Sequence, residues 1–228
     1  MMLSIIVAPP WFRGIDCIFE YFGIVVFLLI AFFAYKATRI TNDKKTKWLF
    51  ISFLLIAGSY LIKAFKDLNF YFPVEREVFI GNFHLKYASI AIIQSEVLIN
   101  AISRILFLLG LVGLYFLITR SEEKRHVFLL VFFTTIVTYI SSFIPHLFHL
   151  TNVVLLAEIS YFYFKKTKLK QPSQKMIMTA FLCLMLSQVL FLTFLSRFYV
   201  NAKILELIAF IFFLIAYSLV VFGTKSKK

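Results

Sequence analysis

Apolar residues run along this chain in blocks of about 18 to 20, broken by short turns rich in Lys and Arg, and each block is long enough to cross a hydrocarbon core of roughly 30 Å. The pattern predicts seven membrane-spanning helices, over residues 16–36, 47–66, 97–119, 126–144, 148–164, 176–196 and 204–222. Residues 126–165 read at first as one apolar rod. At 1.5 Å per residue it would be roughly 60 Å long, about twice the core it has to cross. It must break, and Pro145 with the polar His146, His149 and Asn152 marks the turn.

The one sizeable loop, residues 67–96, lies between the second and third spans. Aromatic, β-prone segments flank Gly81-Asn82 there, which predicts a short β-hairpin. Residues 88–93 are apolar without making a full span, and either extend the third helix or lie along the membrane interface.

Composition agrees with this reading. The chain has 228 residues, 61% hydrophobic and only 15% charged, with a mean hydropathy of +0.91. A soluble domain is far richer in charge. The expected fold is therefore all-α, a polytopic membrane bundle forming a single domain over residues 1–228. The first 12 residues lack the basic start and full apolar stretch of a signal peptide, and Pro9-Pro10 interrupts them. Cys17 and Cys183 fall at different depths, so no disulfide is expected.

A net charge of +13 raises the question of nucleic acid. The basic residues sit in turns between spans, so nucleic acid is not an expected partner; anionic lipid headgroups are. Sixteen Lys and Arg fall in one set of alternate loops, including Lys36, Arg39, Lys44, Lys45, Lys47, Lys165 and Lys175, and eight in the other set. Positive charge stays inside, which predicts a multi-pass protein of the cell membrane with its N-terminus out and C-terminus in. Thr followed by Lys or Arg recurs where spans reach the basic side, as at Thr38-Arg39, Thr119-Arg120 and Thr224-Lys225. A repeated helical hairpin would produce this, as would ordinary convergence at membrane exits.

Candidate chemistry centres on residues 96–104. Glu96, Asn100 and Arg104 stand at i, i+4 and i+8 and share one helix face at the head of the third span. Sorting polar residues by depth puts Glu20, His146, His149, Asn152 and Glu206 in the same outer third. Arg104 is expected to face the bundle and find an acid there, because charge inside a membrane is rare and usually paired. Glu96 is too distant along the helix, which leaves Glu20 or Glu206. These eight residues form the expected ligand-binding set, around an outward-facing polar cavity. Lys63, Arg197 and Lys203 lie near span ends, where snorkelling explains them. Glu158 is a lone acid deep in the fifth span, and with Gln188 it marks a possible proton or ion pathway.

Metal and cofactor chemistry is not expected. His146 and His149 offer two ligands at i, i+3, but no third good ligand accompanies them. Glu122-Glu123-Lys124-Arg125 has the wrong Arg spacing for intramembrane CAAX-type proteases and falls in a turn. Ser142 and His146 lack the paired His on the seventh helix of ceramidase-related hydrolases. With no nucleotide loop, nucleophile elbow or paired acids, the chain is not expected to be an enzyme.

Seven helices with the N-terminus outside resemble the opsin architecture, but the seventh predicted span carries no retinal-binding lysine near its centre, where Phe213 stands. Residues 31–65, a helix ending in a basic turn before an apolar second helix, resemble the seven-span input modules of prokaryotic signalling proteins. That resemblance implies a receptor-like or sensor-like bundle taking a small polar or anionic ligand and relaying its state to a protein partner at the basic loops. A small solute or ion transporter or channel is the alternative, and a structural or assembly subunit of a membrane complex a third. Transport requires a polar path past Gln188 and Glu158 to the far face; sensing requires closure below Arg104.

Overall fold

The computed structural model describes the backbone of residues 12, 14–71, 77–80, 83–86, 90–119, 124–141, 144–167, 171–193 and 196–225. Side chains are described over 12, 14–66, 98–119, 130–141, 144, 146–165, 171–193 and 198–220. Among these residues the chain forms seven helices: α1 (Ile15–Thr41), α2 (Lys44–Tyr71), α3 (Ile90–Thr119), α4 (Lys124–Ser141), α5 (Pro145–Thr167), α6 (Pro172–Leu192) and α7 (Ser196–Lys225). A two-stranded antiparallel hairpin, β1 (Glu77–Ile80) and β2 (Phe83–Lys86), joins α2 to α3 with Ile80 opposite Phe83. The hairpin falls where the sequence pattern predicts one, and the Gly81-Asn82 turn itself lies outside the described residues.

Six of the helices are long and apolar enough to cross a membrane, so the chain is an integral membrane protein. The fourth predicted span differs. Within α4 the described apolar stretch, Leu130–Ser141, is shorter than a span. The third predicted span gains about two turns at its start, since α3 begins at Ile90; the apolar residues ahead of Glu96 extend the helix.

Local sequence sets the helix ends. Asn42 adopts a left-handed conformation (φ 48°) and its N–H bonds the Thr38 carbonyl at 2.9 Å, closing α1. Asp43 then accepts from the Lys45 N–H at 3.1 Å, opening α2 after a two-residue turn. Pro145 stands at the first position of α5, where its missing N–H costs nothing. The turn therefore ends at Pro145, and His146, His149 and Asn152 occupy the first two turns of α5.

The helices alternate in direction. Helix α1 packs against α2 and α7, α2 against α3, α3 against α5, α5 against α6, and α6 against α7. These six close a ring, and α4 lies outside it against α3 and α5. Lipid tails are as apolar as the helices, so close backbone approach matters more than hydrophobic drive in holding such a ring. Small residues provide it. A Cβ on Gly110 would stand 2.5 Å from Ile56 Cγ1 and 2.9 Å from the Ser52 carbonyl, and one on Gly113 would collide with the Ser52 hydroxyl. Two turns further along the same α2–α3 seam, the Ser103 hydroxyl donates to the Ser59 carbonyl at 3.0 Å.

Between α1, α2 and α7 the core is aromatic. The Phe27 ring lies 5.3 Å from Phe210, 5.7 Å from Tyr60, 5.9 Å from Phe53 and 6.0 Å from Phe213. Phe181 on α6 meets Phe213 edge-on at 5.2 Å. Edge-to-face contacts of this kind add to burial.

Candidate functional site

Polar side chains collect at one end of the ring, where α1, α3, α5 and α7 begin and α2, α4 and α6 finish. We call this the Asp16 end. Its deepest element is a charge cluster joining three helices. Glu20 lies one turn inside α1 and is 1% exposed; Lys203 lies two turns inside α7 and is fully buried. Lys203 Nζ donates to Glu20 Oε1 at 2.7 Å. Lys63, from the last turns of α2, reaches the same oxygen at 2.8 Å with its side chain still 35% exposed. Glu206, one turn along α7, stands 3.5 Å from Lys203. Two cations thus face two carboxylates. Glu20 Oε2 is buried and has no hydrogen-bond partner among the described residues.

Above this cluster, Asp16 Oδ1 accepts from the Gly14 and Cys17 N–H groups at 3.0 Å each, and Asp16 Oδ2 accepts from the Tyr199 hydroxyl at 3.3 Å. Tyr199 in turn packs on Phe191, and Phe191 on His149.

A second polar group spans α3 to α6. Arg104 Nη1 donates to the Ser141 carbonyl at 2.6 Å and to its hydroxyl at 3.1 Å, and the guanidinium lies 5.3 Å from the Phe148 ring centre. His149 Nδ1 and Gln188 Oε1 are 2.8 Å apart, and Asn152 Nδ2 donates to that same oxygen at 3.3 Å. The buried Asn152 Oδ1 has no hydrogen-bond partner among the described residues. At the rim, Lys66 Nζ donates to Asn100 Oδ1 at 3.2 Å.

Of the residues expected to bind ligand, the structure gathers Glu20, Glu206, Asn100, Arg104, His149 and Asn152 at this end. His146 is also here but exposed. Glu96 lies in α3, and its side chain falls outside the described residues.

Two placements differ from expectation. Arg104 does not pair with Glu20 or Glu206. Those acids belong to α1 and α7, on the other side of the ring from the α3 face that meets α4, and both are taken by lysines. Among the described residues no carboxylate lies within ion-pair distance of Arg104. Glu158 does not face the interior: it is exposed on the outside of α5, beside Tyr115 of α3. Gln188 is buried, near the end of α6, and belongs to the His149 group instead. Glu158 and Gln188 therefore do not line one path.

Sequence reasoning missed Lys203 and Lys63. The polar run Arg197, Asn201 and Lys203 reads as a turn between two spans, yet α7 starts at Ser196. The available signal was periodic. Lys203, Glu206, Phe210 and Phe213 fall at i, i+3, i+7 and i+10, continuing the buried stripe of α7 beyond the predicted edge.

Below both groups the interior becomes aromatic within about two turns, or ~10 Å along α1 and α7, at Phe27 and Phe210. The chain matches no known protein family, no curated protein and no solved structure. Geometry alone bears on its function.

Proposed function

We propose that the chain is a receptor-like or sensor-like protein of the cell membrane that binds a small oxyanion, a carboxylate or a phosphate, at its Asp16 end. One observation carries this reading. Arg104 is a half-buried cation that rests on the Phe148 ring and whose hydrogen bonds among the described residues run from Nη1 alone, to a backbone carbonyl and a hydroxyl. A buried charge in a membrane bundle is normally paired, and a guanidinium offers a planar fork suited to an oxyanion. Lys63 adds a second partly exposed cation on the neighbouring helix.

In this proposal the chain crosses seven times, with the Asp16 end outside and the basic turns inside, following the charge bias of its loops. Helix α4, 18 residues or ~27 Å long, falls slightly short of the core, a mismatch that local thinning of the bilayer accommodates. Anionic lipids neutralise the basic turns, and a partner protein there receives the signal. The aromatic layer around Phe27 favours sensing over transport, because it leaves no charged side chain among the buried residues below the cluster. No catalytic role is proposed.

The test is binding of inorganic phosphate, acetate and succinate to the purified chain in phosphatidylcholine nanodiscs, read by thermal stabilisation. At least one should stabilise the wild type, and Arg104→Ala should abolish the effect. Arg104→Lys should not restore it, since an ammonium cannot reproduce the fork. Stabilisation that survives Arg104→Ala sinks the proposal, as does steady flux of the bound anion through reconstituted liposomes.

A further inference from the structure

We propose that Lys63 and Lys203 form an anion seat which the Glu20 carboxylate fills in the ligand-free chain, and that an oxyanion arriving at Arg104 takes Lys63 over from it. The inference rests on the oxyanion reading and gives that site a way to signal.

The first observation is how Glu20 is used. Both ammoniums converge on Oε1, at 2.7 and 2.8 Å, while Oε2 is buried without a partner among the described residues. A buried acceptor left unsatisfied is costly, and a carboxylate serving only as a cross-link would spread two cations over its two oxygens. The two lysines instead converge as they would on the single oxygen of an incoming anion. Glu20 stands in for that anion.

The second is the inequality of the lysines. Lys203 is fully buried and keeps Glu206 as a second carboxylate. Lys63 is 35% exposed, and its pairing in the cluster is with Glu20 alone. Lys63 is the member able to leave. Its long stem gives the head several ångströms of travel without any movement of α2.

The third is where Lys63 can go. On α2 it stands one turn from Ser59 and one turn from Lys66. Those residues touch Ser103 and Asn100 of α3, which fixes the register of the two helices. Arg104 follows Ser103 directly. Lys63 now points to Glu20 on α1 and Arg104 to α4, yet the two stand within about a turn of each other in height along the α2–α3 seam, so a Lys63 head released from Glu20 can swing across the mouth of the ring towards an oxyanion on Arg104.

The consequence is mechanical. When Lys63 turns to the anion, the α1–α2 tie through Glu20 opens, while the α1–α7 tie through Lys203 remains. Helices α1 and α2 meet again at the far end through the two-residue Asn42-Asp43 turn, among the exposed basic residues. Loss of one contact between them is thus carried to the face where a partner can read it.

Phosphate titration of the chain in phosphatidylcholine nanodiscs tests this, with wild type, Glu20→Gln, Lys63→Gln and Arg104→Ala compared. Removing the built-in competitor should tighten phosphate binding about tenfold in Glu20→Gln, and removing a cation should weaken it about tenfold in Lys63→Gln. Arg104→Ala should not bind. If Lys63→Gln binds phosphate as wild type does while Arg104→Ala does not, the seat is wrong and the Arg104 site stands. If Arg104→Ala binds normally, or no form binds, both are wrong. Should Glu20→Gln fail to fold, spin labels at Tyr21→Cys and Leu61→Cys, with Cys17 and Cys183 replaced by Ala, give a second measurement. Their separation should change with saturating phosphate in the otherwise native chain and not in Lys63→Gln; an unchanged separation in the native chain overturns the inference.

Discussion

Lys203 Nζ stands 2.7 Å from Glu20 Oε1 where α7 meets α1, with both side chains closed off from solvent. Lys203 is tolerable there because Glu20 and Glu206 flank it, and Glu20 holds Lys63 as well. Removing one member of a buried pair strands the other, at a cost of about 3–5 kcal/mol, whereas removing both is often close to neutral. Lys203→Met strands Glu206 while Glu20 keeps Lys63, so it should unfold the bundle at much lower temperature, and Lys203→Met with Glu206→Leu should regain most of the loss. In the double variant Glu20 retains Lys63 as its partner. Thermal unfolding of the four proteins in one detergent gives the coupling; simple additivity would show that Lys203 and Glu206 are not energetically linked.

Helix α4 is held differently. It lies outside the ring against α3 and α5, and Arg104 reaches across to the Ser141 carbonyl at its last turn. A hydrogen bond from a charged donor contributes about 1.5–3 kcal/mol. Arg104→Ala should loosen α4 locally, raising amide exchange near Thr138 and Ser141 while α1, α2 and α7 exchange as before. Uniform exchange changes along the chain would contradict a local tether.

These two residues show what was legible beforehand. Six of the predicted spans, the hairpin about Gly81-Asn82 and the break at Pro145 follow from features local in sequence: run length, turn chemistry and a missing N–H. The pairing of Arg104 was not legible, because it depends on the order of helices around the ring, which no local pattern encodes. Glu158 was misplaced for a related reason. Helix α5 is apolar around its whole circumference in the middle, so periodicity assigns no inner face there. Lys203 was hidden by its neighbours Arg197 and Asn201, which made the first two turns of α7 look like a loop.

The α2–α3 seam makes a third prediction. Gly110 faces the Ser52 carbonyl and Ile56, with no room for a side chain. Gly110→Val should cost about 1–3 kcal/mol through forced separation of the helices. Gly58 is a control on the same seam, since a Cβ there meets only Leu106 Cδ1 at 3.8 Å. Gly58→Ala should leave stability unchanged or slightly raised, because alanine is the better helix former. Equal loss in the two variants would mean that close approach at Gly110 is not what holds α2 to α3.

Orientation provides the last test. The Asn42-Asp43 turn lies among Lys36, Arg39, Lys44, Lys45 and Lys47, whereas Thr193 is exposed at the opposite end, after α6. A basic excess on one set of loops keeps that set on the cytoplasmic side. In intact cells expressing a chain with Cys17 and Cys183 replaced by Ala, Thr193→Cys should react with a membrane-impermeant maleimide. Asn42→Cys should react only after permeabilisation. The reverse result would put Arg104, Lys63 and Glu20 on the cytoplasmic side, and the oxyanion would then have to be an intracellular one. Labelling of both positions in intact cells would mean that α1 and α6 do not cross as proposed, since each separates the two ends by a full apolar helix.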